Sequence, residues 1–318
     1  MSRSPPSDQR GRPPAERGPA TFTALGLKAE AEPLAPGLYV VATPIGNLRD
    51  VTLRGLSVLA AADAVLAEDT RVTRTLLAHY GITTPLLSYH EHSGEAFRER
   101  VVARLREGEA LALVSDAGTP LVSDPGYRLV EAAAAAGIPV IPIPGASAIL
   151  AALVASGLPS DRFFFEGFLP PRGAARRTRL AELAGVPGTL VLFEAPHRLT
   201  EMLADAAAML GDRPAAVARE MTKLFETVRR GPLPALAEAY GAEAPPRGEI
   251  VVLVGPGAGP APEQVAASLD ERLAEALAGH RLKEAVALVA AETGRPRREV
   301  YARALALAKG GPSGGAEP

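Results

Sequence analysis

The sequence predicts an α/β protein: two consecutive domains of alternating strands and helices, then a small helical region. Three observations predict it. Short apolar runs alternate with segments of helical spacing from Gly37 to about residue 256. A Gly/Pro/Ala-rich stretch at 255–262 is followed only by apolar stripes at helical spacing. Polar clusters rich in Gly, Pro and Asp stand directly behind the apolar runs, where loops leave the carboxyl ends of strands. At 318 residues the chain is long enough for two domains of ordinary size.

Residues 1 to about 36 are rich in Pro, Gly, Arg and Ser without periodicity and are expected to form a disordered tail. The first domain is expected over 37–157. Its strands are Leu38 to Ala42, Ala64 to Ala67, the short Leu86-Leu87, Ala110 to Val114, and Ile138 to Ile143, the last placed near an edge by Pro139 and Pro142. Helices fall between them, for example on Leu53, Leu56 and Leu59, on Val72, Leu76 and Tyr80, and on Phe97, Val101 and Leu105. Asp124 reads as an N-cap with Pro125 at the first helical position, and a further helix runs from Ser147 to Ser156 until Gly157-Leu158-Pro159 breaks it. The second domain is expected over 158–256, with strands at Phe163–Phe165 (read as core), Thr189–Phe193, Ala215–Ala218 and Glu249–Val254. The alternation implies mostly parallel sheets with helices on their faces. About three helices over 263–309 complete the chain, with stripes such as Leu269, Leu273, Leu277 and Val286, Val289.

Composition narrows the chemistry. There is no cysteine, which excludes disulfides, thiolate zinc sites, iron–sulfur clusters and a thiol nucleophile. The five histidines lack a metal-ligand spacing, so no metal is expected. The formal net charge is −2, so a nucleic-acid partner must be held by a local basic patch. No apolar run has transmembrane length and no hydrophobic leader opens the sequence, so a soluble cytoplasmic protein is expected.

Five polar clusters follow the five strands of the first domain: Thr43-Pro44-Ile45-Gly46-Asn47, Glu68-Asp69-Thr70-Arg71, Ser88-Tyr89-His90, Ser115 to Pro120, and Pro144-Gly145-Ala146-Ser147. Their shared rim predicts a composite site. Neither the P-loop pattern nor the Gly-x-Gly-x-x-Gly fingerprint is present, which disfavours an NTPase or a nicotinamide enzyme. Gly118 allows close approach of a ligand to backbone amides, Asp116 offers an acceptor to a ribose or amino group, and the small residues at 144–147 leave free amides at a helix start. Thr43 to Asn47 reads equally as a turn, and Glu68-Asp69-Thr70-Arg71 equally as an acidic helix N-terminus.

Taken together these segments resemble the tetrapyrrole-methylase superfamily over about residues 37 to 256, in the family's order. The specific variants, Ala42 to Leu48, Glu68 to Arg71, Ser115 to Gly126 and Phe193-Glu194-Ala195-Pro196-His197-Arg198, look like its branch that methylates small-subunit ribosomal RNA. Relatives acting on cobalamin and siroheme precursors usually carry a Gly-x-Gly-x-Gly-Asp-type loop where this chain has Thr-Pro-Ile-Gly-Asn. The resemblance implies two α/β domains of tetrapyrrole-methylase type with S-adenosyl-L-methionine in the cleft between them. It also implies 2′-O-methylation of a cytidine in 16S rRNA at the decoding centre, and a homodimer. By matched position it implies cofactor contacts at Thr43, Pro44, Gly46, Ser115, Asp116, Ala117, Gly118, Thr119, Pro144, Gly145 and Ala146.

Methyl transfer from a sulfonium is an in-line displacement, and a 2′-hydroxyl attacks poorly until its proton is taken. Glu68 and Asp69 are the candidate bases, with His197 behind them; Arg71 either neutralises a phosphate or pairs with Asp69. For the RNA, residues 162–181 hold Arg162, Arg172, Arg176, Arg177 and Arg179 against one acid, Glu166, which predicts backbone contacts. Arg198 and Lys223, at the ends of second-domain strands, are expected to join them. The basic C-terminal helices suggest a helix-turn-helix-like accessory grip on the 16S rRNA or 30S subunit. Two alternatives stand beside this reading: a methylase of a small tetrapyrrole, and a non-catalytic RNA-binding assembly factor.

Overall fold

The computed structural model describes residues 19–90, 93–123, 126–257, 262–293 and 295–309. The chain divides into two compact units, 1–256 and 257–318.

The first unit opens with a hairpin, β1 (Thr21–Ala24) and β2 (Leu27–Glu30), paired antiparallel around Leu25-Gly26. Both turn residues have positive φ, 53° and 79°, as a two-residue hairpin turn that matches strand twist requires. Phe22 is buried, and the Thr23 amide donates to the Tyr80 carbonyl (2.7 Å). This corrects the expectation of a disordered tail to residue 36: the composition is loop-like, but Phe22 fastens the segment to the core. Residues 1–18 lie outside the described part.

The first sheet holds β3 (Gly37–Val41), β4 (Ala64–Ala67), β5 (Leu86–Ser88), β6 (Ala110–Val114) and β7 (Val140–Ile143), in the order β5-β4-β6-β3-β7 and all parallel. β4 and β6 are buried throughout, which is why they read as unbroken apolar runs. α1 (Leu53–Ala61) and α2 (Thr70–His79) cover one face with Leu56, Leu59, Leu76 and Leu77; α3 (Glu95–Arg106) and α4 (Tyr127–Ala135) cover the other with Val101, Leu105 and Leu129. α4 starts at Tyr127 with Gly126 as its N-cap, while the expected cap Asp124 and Pro125 lie outside the described residues.

α5 (Ala148–Ser156) follows β7 in the chain but packs on the second sheet. Its Ile149, Ala152 and Leu153 meet Val191, Ala216, Ala218, Val251 and Leu253. That sheet comprises β8 (Phe163–Phe168), β9 (Thr189–Glu194), β10 (Pro214–Arg219), β11 (Thr227–Pro232) and β12 (Ile250–Val254), ordered β11-β10-β12-β9-β8. Only β8 and β9 run parallel; the other three pairings are antiparallel. The expectation of a mostly parallel second sheet is therefore corrected. β10 and β11 form a hairpin, while helical connections carry the chain from β8 to β9, from β9 to β10 and from β11 to β12. β11 escaped the sequence reading because its residues, Thr-Val-Arg-Arg-Gly-Pro, are nowhere fully buried. α6 (Gly173–Leu183), α7 (Leu199–Leu210) and α8 (Leu233–Ala242) close the opposite face through Leu180, Met202, Leu203 and Leu236. Each of these buried large side chains contributes roughly 1.5–3 kcal/mol. Phe163 and Phe164 are 44% and 39% exposed on the edge strand β8, not core as expected; Phe165 packs edge-on against Phe193.

The second unit contains α9 (Pro262–Gly279), α10 (Leu282–Thr293) and α11 (Arg297–Lys309), built around Leu273, Ala285, Val289, Val300 and Ala304. Among the described residues no helix is long and apolar enough to cross a membrane.

Candidate active site

The carboxyl ends of β3, β6 and β7 are neighbours, and their loops are knitted together. Thr43 and Gly118 exchange two backbone hydrogen bonds (2.9 and 3.0 Å), an isolated antiparallel bridge that joins the loops leaving the parallel strands β3 and β6. The buried Thr43 hydroxyl donates to the Ser115 carbonyl (3.1 Å), and the Ser115 hydroxyl to the Ala117 carbonyl (3.3 Å). The Thr119 hydroxyl donates to the Ala146 carbonyl (3.3 Å). A Cβ on Gly145 would stand 2.9 Å from that of Ala42, so only glycine lets the β7 loop lie this close to β3. Gly118 has φ +81°, as do Leu121 (+73°) and Ser123 (+65°) in the same loop. Non-glycine residues held there store strain of about 1–3 kcal/mol each and cluster at functional sites.

Two cavities adjoin this rim. One, of about 390 Å³, is walled by Ala117, Gly118, Thr119, Val122 and Ser123 on one side. The start of α5 (Ser147 to Ile149), Phe168, Phe193 to Pro196 and Gly248 to Val251 complete it. The other, of about 380 Å³, is walled by Thr43 to Gly46, Thr73, Leu76, Ser115, Asp116, Ala117, Lys223 and Glu249. Ile45, Ala117 and Glu249 belong to both. Both have the size usual for a small-molecule site.

Of the residues expected to contact a cofactor, Ala117, Gly118 and Thr119 line the first cavity, and Thr43, Pro44, Gly46, Ser115 and Asp116 line the second. Pro144, Gly145 and Ala146 line neither and stand behind the rim as its support.

Asp69 and Asp116 meet at the second cavity, where Asp116 Oδ1 accepts from the Asp69 amide (2.9 Å). Asp69 caps α2 by accepting from the Arg71 amide (2.8 Å), and its carboxylate takes a two-pronged contact from the Arg71 guanidinium (Nη2–Oδ2 2.5 Å). Those hydrogen bonds hold its carboxyl down at about 2. Glu68 is half-buried beside it. His197 is exposed in a short 3-10 turn after β9. Across the cleft the Lys223 stem lies over Gly46, whose Cβ would fall 2.5 Å from Lys223 Cγ; its ammonium bonds Glu220 (2.8 Å) and Glu249 (3.1 Å). Desolvation works against that charge, but the two carboxylates outweigh it and raise the Lys223 pKa.

The arginines expected to grip RNA need correction. Arg176 is buried, 3% exposed, with Nε on Asp205 (2.7 Å) and Nη2 on Glu201 (3.3 Å). It is a core ion-pair partner and offers nothing to a phosphate. Arg177 shares Asp205 (3.1 Å), and Arg179 bridges Glu166 and Glu182. The acids beyond residues 162–181 are Glu201 and Asp205 of α7 and Glu182, one residue past that stretch. Arg172 is exposed and makes no side-chain ion pair among the described residues. Arg198 turns inward, with Nη2 donating to the Leu169 carbonyl (2.8 Å).

Sequence reasoning named Glu194 only as part of the Phe193–Arg198 segment and gave it no role of its own. It ends β9 with its side chain fully buried, and it lines the first cavity. Burial, the largest influence, pushes its pKa up against the Ala195 amide and the charges of Arg198, Arg176 and His197. The visible signal is a lone acid closing the apolar run Thr189 to Phe193.

Residues 37–237 match the family described as Tetrapyrrole (Corrin/Porphyrin) Methylases, and residues 263–308 match the RsmI C-terminal HTH domain. A protein of Mesorhizobium japonicum named ribosomal RNA small subunit methyltransferase I is 53% identical over 278 residues, covering 87% of this chain and 94% of that one. The chain belongs to the ribosomal RNA small subunit methyltransferase I family of tetrapyrrole methylases. A member from Xylella fastidiosa (strain Temecula1) is 51% identical over 84% of this chain and 98% of its own length. A crystal structure of diphthine synthase, 18% identical, shares the fold at a TM-score of 0.54, covering 69% of this chain and 89% of that one. Tetrapyrrole methylases thus provide the α/β architecture seen in residues 37–256, and the helix-turn-helix family provides the second unit.

Proposed function

We propose that this member of the family transfers the methyl group of S-adenosyl-L-methionine to the 2′-hydroxyl of a cytidine in 16S rRNA, in the cytoplasm and as a homodimer. The observation that carries the reading is the pair of adjoining cavities sharing Ile45, Ala117 and Glu249. A methyl donor in one and a ribose in the other meet at that shared wall. The residues of the first cavity fit the donor: a left-handed glycine opens backbone to it, and Phe168 and Phe193 offer flat apolar surface. Bound there, the sulfonium supplies the activated methyl.

In the transfer the carbon–sulfur bond breaks as the oxygen–carbon bond forms, and the 2′-hydroxyl proton leaves. Holding the two groups in line can supply about 7–11 kcal/mol. Asp69, held at about 2, is a weak proton acceptor and serves better to orient Arg71 and the α2 N-terminus. Glu68, half-buried at the end of β4, is then the first candidate for the proton and the exposed His197 the second. Arg71, 85% exposed, and Lys223 supply positive charge beside the second cavity. The exposed Arg172 and Arg177 at the start of α6, and the exposed Arg281, Lys283, Arg297 and Arg298 of the second unit, suit phosphate contact. The apolar Leu150 and Val154, 52% and 79% exposed on α5, are surface that a homodimer would cover.

The test is methyl transfer from labelled S-adenosyl-L-methionine to 30S subunits lacking the modification, with the product mapped by mass spectrometry. One 2′-O-methylated cytidine is expected. Transfer to a tetrapyrrole instead, or RNA binding with no transfer, would overturn the reading.

A further inference from the structure

The loop that joins β10 to β11 carries two large apolar side chains side by side in water. Leu224 is 89% and Phe225 66% exposed. Apolar residues scattered singly over a surface are ordinary, but an adjacent pair on a loop that the fold holds still is not. This loop is held along its length. Met221 is buried in the second sheet's core. The Thr222 amide donates to Glu226 Oε2 (2.6 Å), the Lys223 ammonium to Glu220 Oε1 (2.8 Å), and Arg219 Nη2 to the Phe225 carbonyl (3.3 Å). Glu220 and Thr222 sit at φ of +53° and +67°, a strained conformation for residues with side chains that persists only where the surroundings impose it.

Position and charge say what the pair meets. Lys223, the residue before Leu224, lines the second cavity and lies over Gly46. Two peptide steps keep the Phe225 Cα within about 7.6 Å of that lysine's. The Arg219 guanidinium engages neutral partners, the Thr227 hydroxyl and the Arg247 and Phe225 carbonyls. Arg247 is exposed, and neither arginine makes an ion pair among the described residues. Apolar surface beside such cations suits a partner with flat rings and a negative backbone, which is single-stranded RNA. It suits a second copy of the chain poorly, because a two-fold contact centred on the loop would set these arginines against their own copies.

Resting on the RNA reading above, we propose that Phe225, with Leu224 beside it, is a stacking platform for a base next to the methylated nucleotide, and so positions the target ribose at the second cavity. Every base has a π-face, so this contact fixes the path of the strand and not its sequence.

The experiment is filter binding of the full chain to 30S subunits lacking the modification, for the wild type, Phe225→Ala, Phe225→Leu and Phe225→Trp, with sedimentation velocity of each protein. The ring is exposed, so all variants should keep the wild-type melting temperature. Stacking of one base predicts a loss of about five- to a hundredfold in Phe225→Ala and a similar loss in Phe225→Leu, which keeps apolar bulk without the ring, while Phe225→Trp stays within about threefold of the wild type. The slope of log affinity against log salt should be the same throughout, since no phosphate contact is removed. Wild-type affinity in Phe225→Ala overturns the proposal. So does wild-type affinity in Phe225→Leu, which would make the contact a general apolar one, and so does a changed salt slope. An altered oligomeric state in Phe225→Ala would make the loop a contact between subunits and overturns it too. If the wild type does not bind 30S subunits, the RNA reading itself fails, and this proposal with it.

Discussion

Replacing Arg176 by leucine should unfold more than it unbinds. The guanidinium is 3% exposed and bonds Asp205 at 2.7 Å, an acid itself only 15% exposed. Its second partner, Glu201, is 76% exposed and contributes little in water. Breaking a buried pair by removing one partner costs about 3–5 kcal/mol, because the other charge is stranded. Here Arg177 still reaches Asp205 Oδ1 at 3.1 Å and keeps that charge partnered, so the cost should fall just under this range, about 2–3 kcal/mol. For a unit of this size each kcal/mol moves the melting temperature by roughly 2–4 °C, giving a drop of about 4–12 °C. Differential scanning calorimetry measures that drop, and filter binding to 30S subunits below the transition measures affinity, expected to change less than about threefold. Arg172→Ala should do the reverse, leaving the melting temperature alone and weakening binding more steeply at low salt. An Arg176→Leu protein with unchanged melting temperature and weakened RNA binding would refute the core ion-pair assignment.

Two further outcomes follow from the rim. Gly118→Val combines a φ of +81° with a Cβ 3.4 Å from Ile45, so it should lose about 1–3 kcal/mol of stability and at least tenfold in S-adenosylhomocysteine affinity. Gly26→Ala (φ +79°, with nothing within 4 Å) is the control that carries strain alone and should keep the affinity. Asp69→Asn should slow methyl transfer by less than about tenfold, against the ~10²–10⁴ that a general base supplies. The folded pKa lies below the unfolded value of 3.8, so this carboxylate's contribution to stability is present above about pH 4 and is lost as pH falls through about 2. The rate profile above pH 4 should then be the same for Asp69→Asn and wild type; an inflection that vanishes in the variant would make Asp69 the base.

The first sheet was legible because β4 and β6 are buried on both faces and therefore unbroken in the sequence, and because Pro139 and Pro142 mark β7 as the edge it is. The polar clusters after β4 and β6 abut such runs, whereas those after β5 and β7 follow strands that are only partly buried. What stayed hidden depends on partners distant in sequence. Nothing near Arg176 announces Asp205, which lies 29 residues on and one helix away. Phe22 sits in a composition typical of loops, and only its burial makes the hairpin part of the fold. The direction of β10 and β12 turns on how their connections are routed, to which an apolar run is blind. Glu194 was visible as a lone acid, but its burial exists only once β9 is folded against α6 and α7.

α5 links the two sheets in a way that bears on how the cleft can move. By chain it follows the first sheet's last strand; by packing it belongs to the second sheet, where Arg230 of β11 grips the carbonyls of Ala155 and Ser156 at its end. Swinging the sheets apart would draw Ile45 of the rim out of the cluster that Ile149, Ala152 and Leu153 form with the second sheet. Ile45 thus ties the first sheet's rim to the second sheet's core, so opening the cleft has a cost in buried apolar surface that rearranging Phe168, Val122 or the Lys223 stem does not.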